Sequence, residues 1–156
     1  MERPSGRYYE ELIPGDIIRH ALTRTVTETD NLLITTLTMN TQLLHLDEEF
    51  CKKHSIAGTR LVNSIFTLGC VVGVGVSDVS NGTTVGNLGF KDITFPAPVL
   101  IGDTLRAETE VLEKRESASR PDAGIVHFEH RGYNQRNQLI ARIHRIALMM
   151  KTPVEA

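Results

Sequence analysis

The amino-acid sequence predicts an α+β fold in which an antiparallel sheet wraps around one long apolar helix. The first observation is the segment 61–76, which is apolar nearly all round, as a buried helix is. The second is the change of hydrophobic period to two from Asn81 onward, which is typical of strands. A helix followed by a run of antiparallel strands is an α+β order. The length of 156 residues fits a single domain over residues 1–156.

Composition argues against several classes of partner. Hydrophobic residues make up 40% of the chain and charged residues 23%, which is ordinary for a soluble globular protein. The formal net charge of -2 gives no electrostatic reason to expect nucleic acid or an anionic membrane. No basic start leads into an apolar signal segment, so we expect a cytoplasmic protein. Cys51 and Cys70 show no metal or redox spacing, and we expect two reduced thiols.

The segment Thr27–Asp30 has the form of a helix N-cap, in which a hydroxyl accepts a backbone N–H and a carboxylate reaches back. It predicts a helix from about Glu28 to Met39, because apolar residues follow at helical spacing. These apolar residues are Leu33, Ile34 and Leu37. Four threonines within the predicted helix lower its intrinsic propensity, so packing must stabilise it.

The predicted central helix covers Leu61–Val76. It is shorter than the roughly 20 apolar residues of a membrane span, and Asn63 and Ser64 lie inside it. Gly69 and Gly73, one helical turn apart, would let a sheet or a partner backbone approach closely. We therefore expect a helix that is buried in protein rather than in lipid.

Several strands are predicted around this helix from alternating and β-branched residues. They are Ile17–Val26, Thr84–Phe90 with Asp92–Phe95 across a bulge, Thr104–Glu113, Gly124–Tyr133 and Gln138–Met150. One sheet over one helix leaves the helix partly uncovered and the edge strands exposed. A second copy that continues the sheet removes both problems, and we therefore predict a homodimer.

A polar cluster lies between two predicted helices, in the segment Asn40–Asp47. It brings the amide of Asn40, the imidazole of His45 and the carboxylate of Asp47 within eight positions. An imidazole suits acid–base work because it titrates near neutrality, so this cluster is a candidate site. Asp47 has two interpretations. It reaches into the site, or it caps the short helix expected over residues 47–53.

Other motifs argue against metal and nucleotide cofactors. His127 and His130 differ by three positions along a strand, so their side chains point to opposite faces and do not form a metal-binding pair. Gly73-Val74-Gly75 does not follow a predicted strand and lacks the third glycine of a dinucleotide-binding loop. We expect no metal and no cofactor.

Three segments together resemble one known family. They are Asn40-Thr41-Gln42-Leu43-Leu44-His45-Leu46-Asp47, the pair Asn63-Ser64 in the central helix, and Phe95–Leu105 before an alternating strand. From about residue 6 to residue 150 the chain resembles the MaoC-like (R)-specific enoyl-CoA hydratases and dehydratases. This resemblance implies the hotdog fold. A further segment, Leu112–Gly124, is similar to a subgroup that includes mesaconyl-CoA hydratase relatives.

The resemblance also implies the chemistry. The substrate would be an acyl-CoA thioester, whose CoA moiety is part of the substrate rather than a cofactor, and His45 would be the general base. Asn40 stands where the family has an aspartate, and an amide can hold a water but cannot accept its proton. Backbone N–H groups of Asn63 and Ser64, at the helix N-terminus, would form an oxyanion hole for the thioester oxygen.

Three cations are candidate contacts for the CoA phosphates. They are Lys114, Arg115 and Arg120, in a charged segment between two predicted strands. The alternative interpretation is that this segment is an ordinary solvated loop.

Three functions therefore remain open. The leading one is a hydratase or dehydratase with His45 as base and Asn40 placing water or substrate. The second is an acyl-CoA thioesterase, although such enzymes usually carry an acidic base on the central helix, and none is seen in Leu61–Val76. The third is a non-catalytic acyl-CoA-binding protein that kept the fold after losing the aspartate. Asn40 is the residue that keeps this third function open.

Overall fold

The computed structural model describes residues 4–154, which form one antiparallel sheet with helices on one face. The strands are β1 (Ile17–Arg19), β2 (Arg24–Thr25), β3 (Thr84–Thr94), β4 (Thr104–Glu116), β5 (Ala123–Tyr133) and β6 (Leu139–Met150). In the six-stranded sheet the order is β1-β4-β5-β6-β3, and β2 also pairs with β4. The predicted α+β class is confirmed.

The helices are short. They are α1 (Glu28–Leu37), α2 (Leu43–Leu46), α3 (Glu48–His54), α4 (Ser64–Gly73) and α5 (Val76–Val79), and a 3₁₀ turn covers Tyr9–Glu11. Within residues 4–154, none has the length and apolar character that crossing a membrane requires.

The prediction of one uninterrupted central helix over Leu61–Val76 is wrong at both ends. Leu61 bridges to Leu100, and the Val62 N–H donates to the Val99 carbonyl at 2.9 Å. These residues therefore extend the sheet, and α4 begins only at Ser64. After α4 the chain turns and continues as the separate helix α5.

The strand predictions are confirmed for β3 to β6, with changes at the ends. β4 continues to Glu116, beyond its predicted end, because it stays paired with β5. β3 is continuous through Lys91, with register irregularities in the region of the predicted bulge. The predicted strand Ile17–Val26 is instead two short strands, β1 and β2. His20 still donates its N–H to the Ala107 carbonyl of β4, and the chain is irregular from there to Arg24.

Helix α1 begins at the predicted capping box: the Thr27 hydroxyl accepts from the Asp30 N–H at 3.2 Å, and Asp30 accepts from the Thr27 N–H at 2.8 Å. It ends at Leu37, two residues before the predicted Met39, whose φ of 56° is outside the helical region. The face that packs inward is polar, because Asn31 and Thr35 are fully buried while the leucines lie outside.

Two hydrophobic clusters fill the space under the helices. The first includes Val71 and Val74 of the α4 region with Leu105 and Ile143 of the sheet. The second includes Val79 of α5, together with residues of the sheet and of the 3₁₀ turn. Both clusters extend along β4 and β6, so the same sheet supports α4 at one end and α5 at the other.

A row of polar side chains separates the two clusters. Asp78 accepts from His20 Nδ1 at 2.9 Å. The Thr109 hydroxyl lies 2.8 Å from His20 Nε2 and 2.8 Å from His130 Nδ1. With neutral imidazoles, Thr109 donates to His20 and accepts from His130, and His130 Nε2 has no partner among residues 4–154. Burial, and next the charge of Arg145, lower the pKa of His130 to about 3.

The buried His130 makes stability depend on pH. Its folded-state pKa of about 3 lies below the ordinary value of 6.5, so between those values the unfolded chain binds a proton that the folded chain does not. The free energy of unfolding should therefore fall, as pH decreases from 6.5, by up to about 1.4 kcal/mol per pH unit from this group. The variant His130→Leu should show a shallower decline in urea unfolding between pH 7 and 4.5. Parallel declines for the two proteins would contradict this account.

Candidate active site

His45 lies in α2, and one of its ring nitrogens is fixed by the backbone. Its Nδ1 is 2.9 Å from the carbonyl oxygen of Leu61. A carbonyl oxygen only accepts, so Nδ1 carries the hydrogen and donates it. In the neutral ring Nε2 is then left with a free lone pair, which is the form that a general base requires. The ring is half-buried.

The N-terminus of α4 lies beside this histidine, because Leu61 precedes the helix by only a few residues. Asn63 is the N-cap, and its Oδ1 accepts from the Ile65 N–H at 2.9 Å. The Asn63 N–H itself donates to Asn31 Oδ1 at 2.9 Å. Of the two predicted oxyanion donors, the N–H of Asn63 is therefore occupied, while the N–H of Ser64 has no partner in the described chain. The oxyanion hole itself stays a prediction.

Asn31 of α1 is a site residue that the sequence analysis missed. Its Nδ2 donates to the carbonyl oxygen of His45 at 2.9 Å, and its Oδ1 accepts from the Asn63 N–H. One turn later Thr35 accepts from Asn63 Nδ2 at 3.2 Å. The role of Asn31 could not be seen in the sequence, because α1 also carries Glu28, Thr29, Asp30 and Thr36, among which Asn31 and Thr35 do not stand out.

A charged cluster supports the loop between α3 and α4. Arg60 donates to Glu28 of α1 at 3.0 Å through Nη2 and to Glu48 of α3 at 3.1 Å through Nε. The hydrogen bond from Arg60, and next that from Thr59, hold the pKa of the Glu48 carboxyl below its ordinary value although burial opposes them. These pairs connect α1, α3 and the segment that leads to Leu61.

A small cavity opens at the same helix end. Its volume is about 270 Å³, and its lining includes Ser64 and Thr67 of α4. The other lining residues are Ile56, Leu61, Val62, Phe95, Pro96, Ala97, Pro98, Val99 and Ile140. The wall is therefore apolar apart from two hydroxyl-bearing side chains. His45 does not line this cavity, but it contacts the carbonyl of Leu61, which does.

A larger cavity, of about 490 Å³, lies between α1, α4 and residues 22–24. Gly69, Gly73 and Cys70 form part of its wall. A Cβ on either glycine would meet nothing within 4 Å, so the expected close approach of a sheet does not occur inside the single chain. The cavity holds no acid–base pair and is a weaker candidate for chemistry, although it is the larger.

The side chain of Asn40 takes part in a turn. Its Oδ1 accepts from the Gln42 N–H at 2.9 Å, which orders the chain just before α2. Its Nδ2 has no partner among residues 4–154 and is available as a donor.

Asp47 is the N-cap of α3. Its Oδ1 accepts from the Phe50 N–H at 2.8 Å. Of the two interpretations of Asp47, the structure supports the helix cap.

The three predicted CoA contacts are far from His45 within one chain. Lys114 donates to the carbonyl of Tyr9 at 2.9 Å, and Arg120 pairs with Asp122. They lie at the end of the β4–β5 hairpin, whereas the site adjoins the start of β4. Ten residues of strand separate Thr104 from Lys114, a length of roughly 33 Å. Within a single chain Lys114, Arg115 and Arg120 are thus separated from the start of β4 by most of that strand. Their contact with the CoA phosphates stays a prediction.

The row of Asp78, His20 and Thr109 has the order of a nucleophilic triad, carboxylate then imidazole then hydroxyl. However, Thr109 is fully buried, and its hydroxyl already contacts His130. No substrate carbonyl can reach it in this structure, so this row is a feature of the core.

Cys51 and Cys70 are unpaired, and burial raises the pKa of both thiols.

Comparisons with known proteins agree with this fold and site. The sheet and helices superpose on a Mycobacterium tuberculosis protein described as a double hotdog fold, with a TM-score of 0.86, 20% identity and coverage of 99% of this chain and 47% of that one. A monoamine oxidase regulatory protein from Archaeoglobus fulgidus superposes with a TM-score of 0.82 and 36% identity, over 98% of this chain and 99% of that one. The class is therefore the hotdog fold, as predicted.

The family follows from sequence. The family model described as MaoC like domain matches residues 11–133, and the chain belongs to this family. Mesaconyl-CoA hydratase of Cereibacter sphaeroides is 30% identical over 156 residues, which are all of this chain and 45% of that protein. The chain thus spans less than half the length of the curated relatives that it matches first. The resemblance seen in the motifs is confirmed.

The capping role of Asp47 can be tested by stability alone. Asp47→Ala should lower the free energy of unfolding by about 1 kcal/mol, because the Phe50 N–H loses its acceptor. Asp47→Asn should remain close to the native protein, since asparagine caps about as well as aspartate. Urea unfolding at neutral pH measures both. Equal losses in the two variants would show that the carboxylate charge, rather than the cap, matters.

Proposed function

We propose that this chain is an acyl-CoA hydratase or dehydratase, with His45 as the general base. One observation carries the proposal: the Leu61 carbonyl holds Nδ1–H of His45 and leaves Nε2 as acceptor, next to a helix N-terminus with an unused N–H at Ser64. The family and the similarity to a mesaconyl-CoA hydratase support the same chemistry.

Hydration of the enoyl thioester uses His45 as the base and the Ser64 N–H as the oxyanion donor. Water attacks the β-carbon of the enoyl thioester while His45 Nε2 takes one of its protons. The electrons of the double bond move toward the thioester oxygen, where the Ser64 N–H and the positive end of the α4 dipole stabilise the charge. The imidazolium of His45 then returns the proton to the α-carbon. The elements of water are added, and His45 is regenerated as a neutral base.

Asn40 and Asn63 have lesser parts in this proposal. The free Nδ2 of Asn40 donates to the attacking water or to the substrate and orients it, but this amide cannot take a proton. Asn63 acts through the helix cap rather than as an oxyanion donor, because its N–H is bonded to Asn31.

The 270 Å³ cavity supports a short acyl group as substrate. No charged side chain lines it, so an uncharged, short or branched acyl chain fits this wall better than a dicarboxylic one. Lys114, Arg115 and Arg120 would contact the CoA phosphates only where a second copy brings its β4–β5 hairpin to the site.

We also propose that the chain works as a homodimer in the cytoplasm. The edge strand β3 pairs with β6 on one side, and its other edge has no strand partner within the described chain. It carries exposed Leu88, Phe90 and Ile93. Such an edge is completed when a second copy continues the sheet. Two unpaired cysteines suit the reducing cytoplasm.

The dimer has a direct test. Light scattering of the purified protein should give twice the mass of the single chain. Ile93→Lys, which adds a charge to the exposed edge, should shift the population toward the single-chain mass, because the paired edge would desolvate the ammonium group. A native protein that has the single-chain mass at micromolar concentration would contradict the dimer.

The role of His45 is tested by following the absorbance of the enoyl thioester with short, branched and dicarboxylic enoyl-CoAs. The native protein should consume the double bond and leave the thioester intact. His45→Ala should lose on the order of 10²–10⁴ in rate, as expected for a missing acid–base group. His54→Ala is the matched control, since this exposed histidine ends α3 and should keep native activity.

The same assay separates the competing functions. Activity of His45→Ala within a few-fold of the native protein would exclude His45 as the base. Release of free thiol without loss of the double bond would favour a thioesterase, a function that α4 does not support because it carries no acidic residue. Binding of the CoA thioesters without any turnover would favour the non-catalytic binding protein, for which Asn40 is the motivating observation.

A further inference from the structure

Helix α1 is packed with its polar side inward. Asn31 and Thr35 are completely buried, whereas Leu33 and Leu37 are 56% and 71% exposed. A helix that packs only for stability buries its leucines. Burial of apolar surface therefore does not explain the inward polar face of α1, and the hydrogen-bond partners of its buried side chains indicate its role.

Asn31 joins two backbone segments that are distant in sequence. Its amide nitrogen donates to the His45 carbonyl, and its amide oxygen accepts from the Asn63 N–H, each at 2.9 Å. A buried amide is costly unless it is hydrogen-bonded, so both contacts stabilise the arrangement. Because the amide group is planar and rigid, it fixes the distance between these two segments.

We propose that Asn31 is a positioning residue, which sets the separation between the base of His45 and the oxyanion donor at Ser64. This inference rests on the proposed hydratase function. Asn31 contacts the backbone of His45, whose side chain is the base, and the backbone of Asn63, which directly precedes the oxyanion donor Ser64. It therefore acts on both reacting groups through their backbone and does not itself contact the substrate.

Two independent hydrogen bonds hold His45 in place. The ring of His45 is bonded to the Leu61 carbonyl, and the backbone of His45 is bonded through Asn31 to Asn63. The first sets which nitrogen carries the proton. The second sets where the ring stands relative to α4. Loss of Asn31 leaves the protonation pattern unchanged and removes only the second restraint.

A purely structural role makes a different prediction, and Thr109 supplies the control. Thr109 is also fully buried and makes two side-chain hydrogen bonds, but in the polar row between the hydrophobic clusters. Thr109→Val therefore removes buried hydrogen bonds without touching α1, His45 or α4. If the Asn31 variant and Thr109→Val lose similar unfolding free energy, a difference in their activities reports the positioning effect.

The experiment compares Asn31→Leu, which keeps the shape and removes both hydrogen bonds, with Thr109→Val in the hydration assay. Asn31→Leu should lower kcat on the order of 10²-fold, as misplacement of reacting groups by about 1 Å does. Its KM should stay within about a factor of three, and the pH at which kcat/KM declines on the acid side should not move. Thr109→Val should keep kcat within about twofold of native at a comparable loss of unfolding free energy.

Amide hydrogen exchange of Asn63, followed by ¹⁵N NMR, provides a readout that needs no turnover. This N–H should exchange much faster in Asn31→Leu than in Thr109→Val. Equal kcat in the two variants would overturn the positioning role. So would a shift, in Asn31→Leu, of the pH at which kcat/KM declines on the acid side. A native protein that hydrates no enoyl-CoA would instead overturn the proposed function, and unchanged Asn63 exchange in Asn31→Leu would overturn the connection itself.

Discussion

The hydrogen bonds that satisfy the first residues of α4 are the constraint on which the site depends. The N-terminus of a helix leaves backbone N–H groups without intrahelical acceptors. Here Asn31 takes the N–H of Asn63, and Asn63 takes that of Ile65. The N–H of Ser64, between them, has no acceptor among the described residues and can donate to a ligand.

The sheet gives this arrangement its rigidity. The pairing of Leu61 with Leu100 and of Val62 with Val99 attaches the entrance of α4 to the turn before β4. The Leu61 carbonyl that orients His45 is thus part of a sheet-like contact rather than of a free loop. The buried row around Thr109 lies further along the same strands and separates the two parts of the core.

Local patterns predicted much of this structure, and distant partners account for the rest. The alternation in β4 to β6 and the box at Thr27 and Asp30 are local signals, and both are confirmed. The start of α4 was misplaced because Leu61 and Val62 pair with residues almost forty positions later. Asn31 was missed for the same reason: its oxygen is bonded to a group 32 positions away, and no window of sequence contains both.

The most direct test of the central claim is a crystal structure with a non-reactive enoyl-CoA analogue. The account predicts that the thioester oxygen accepts from the Ser64 N–H, that the β-carbon faces His45 Nε2, and that Asn31 keeps both of its backbone contacts. A thioester bound in the larger cavity beside Gly69 and Gly73, away from Ser64 and His45, would contradict it.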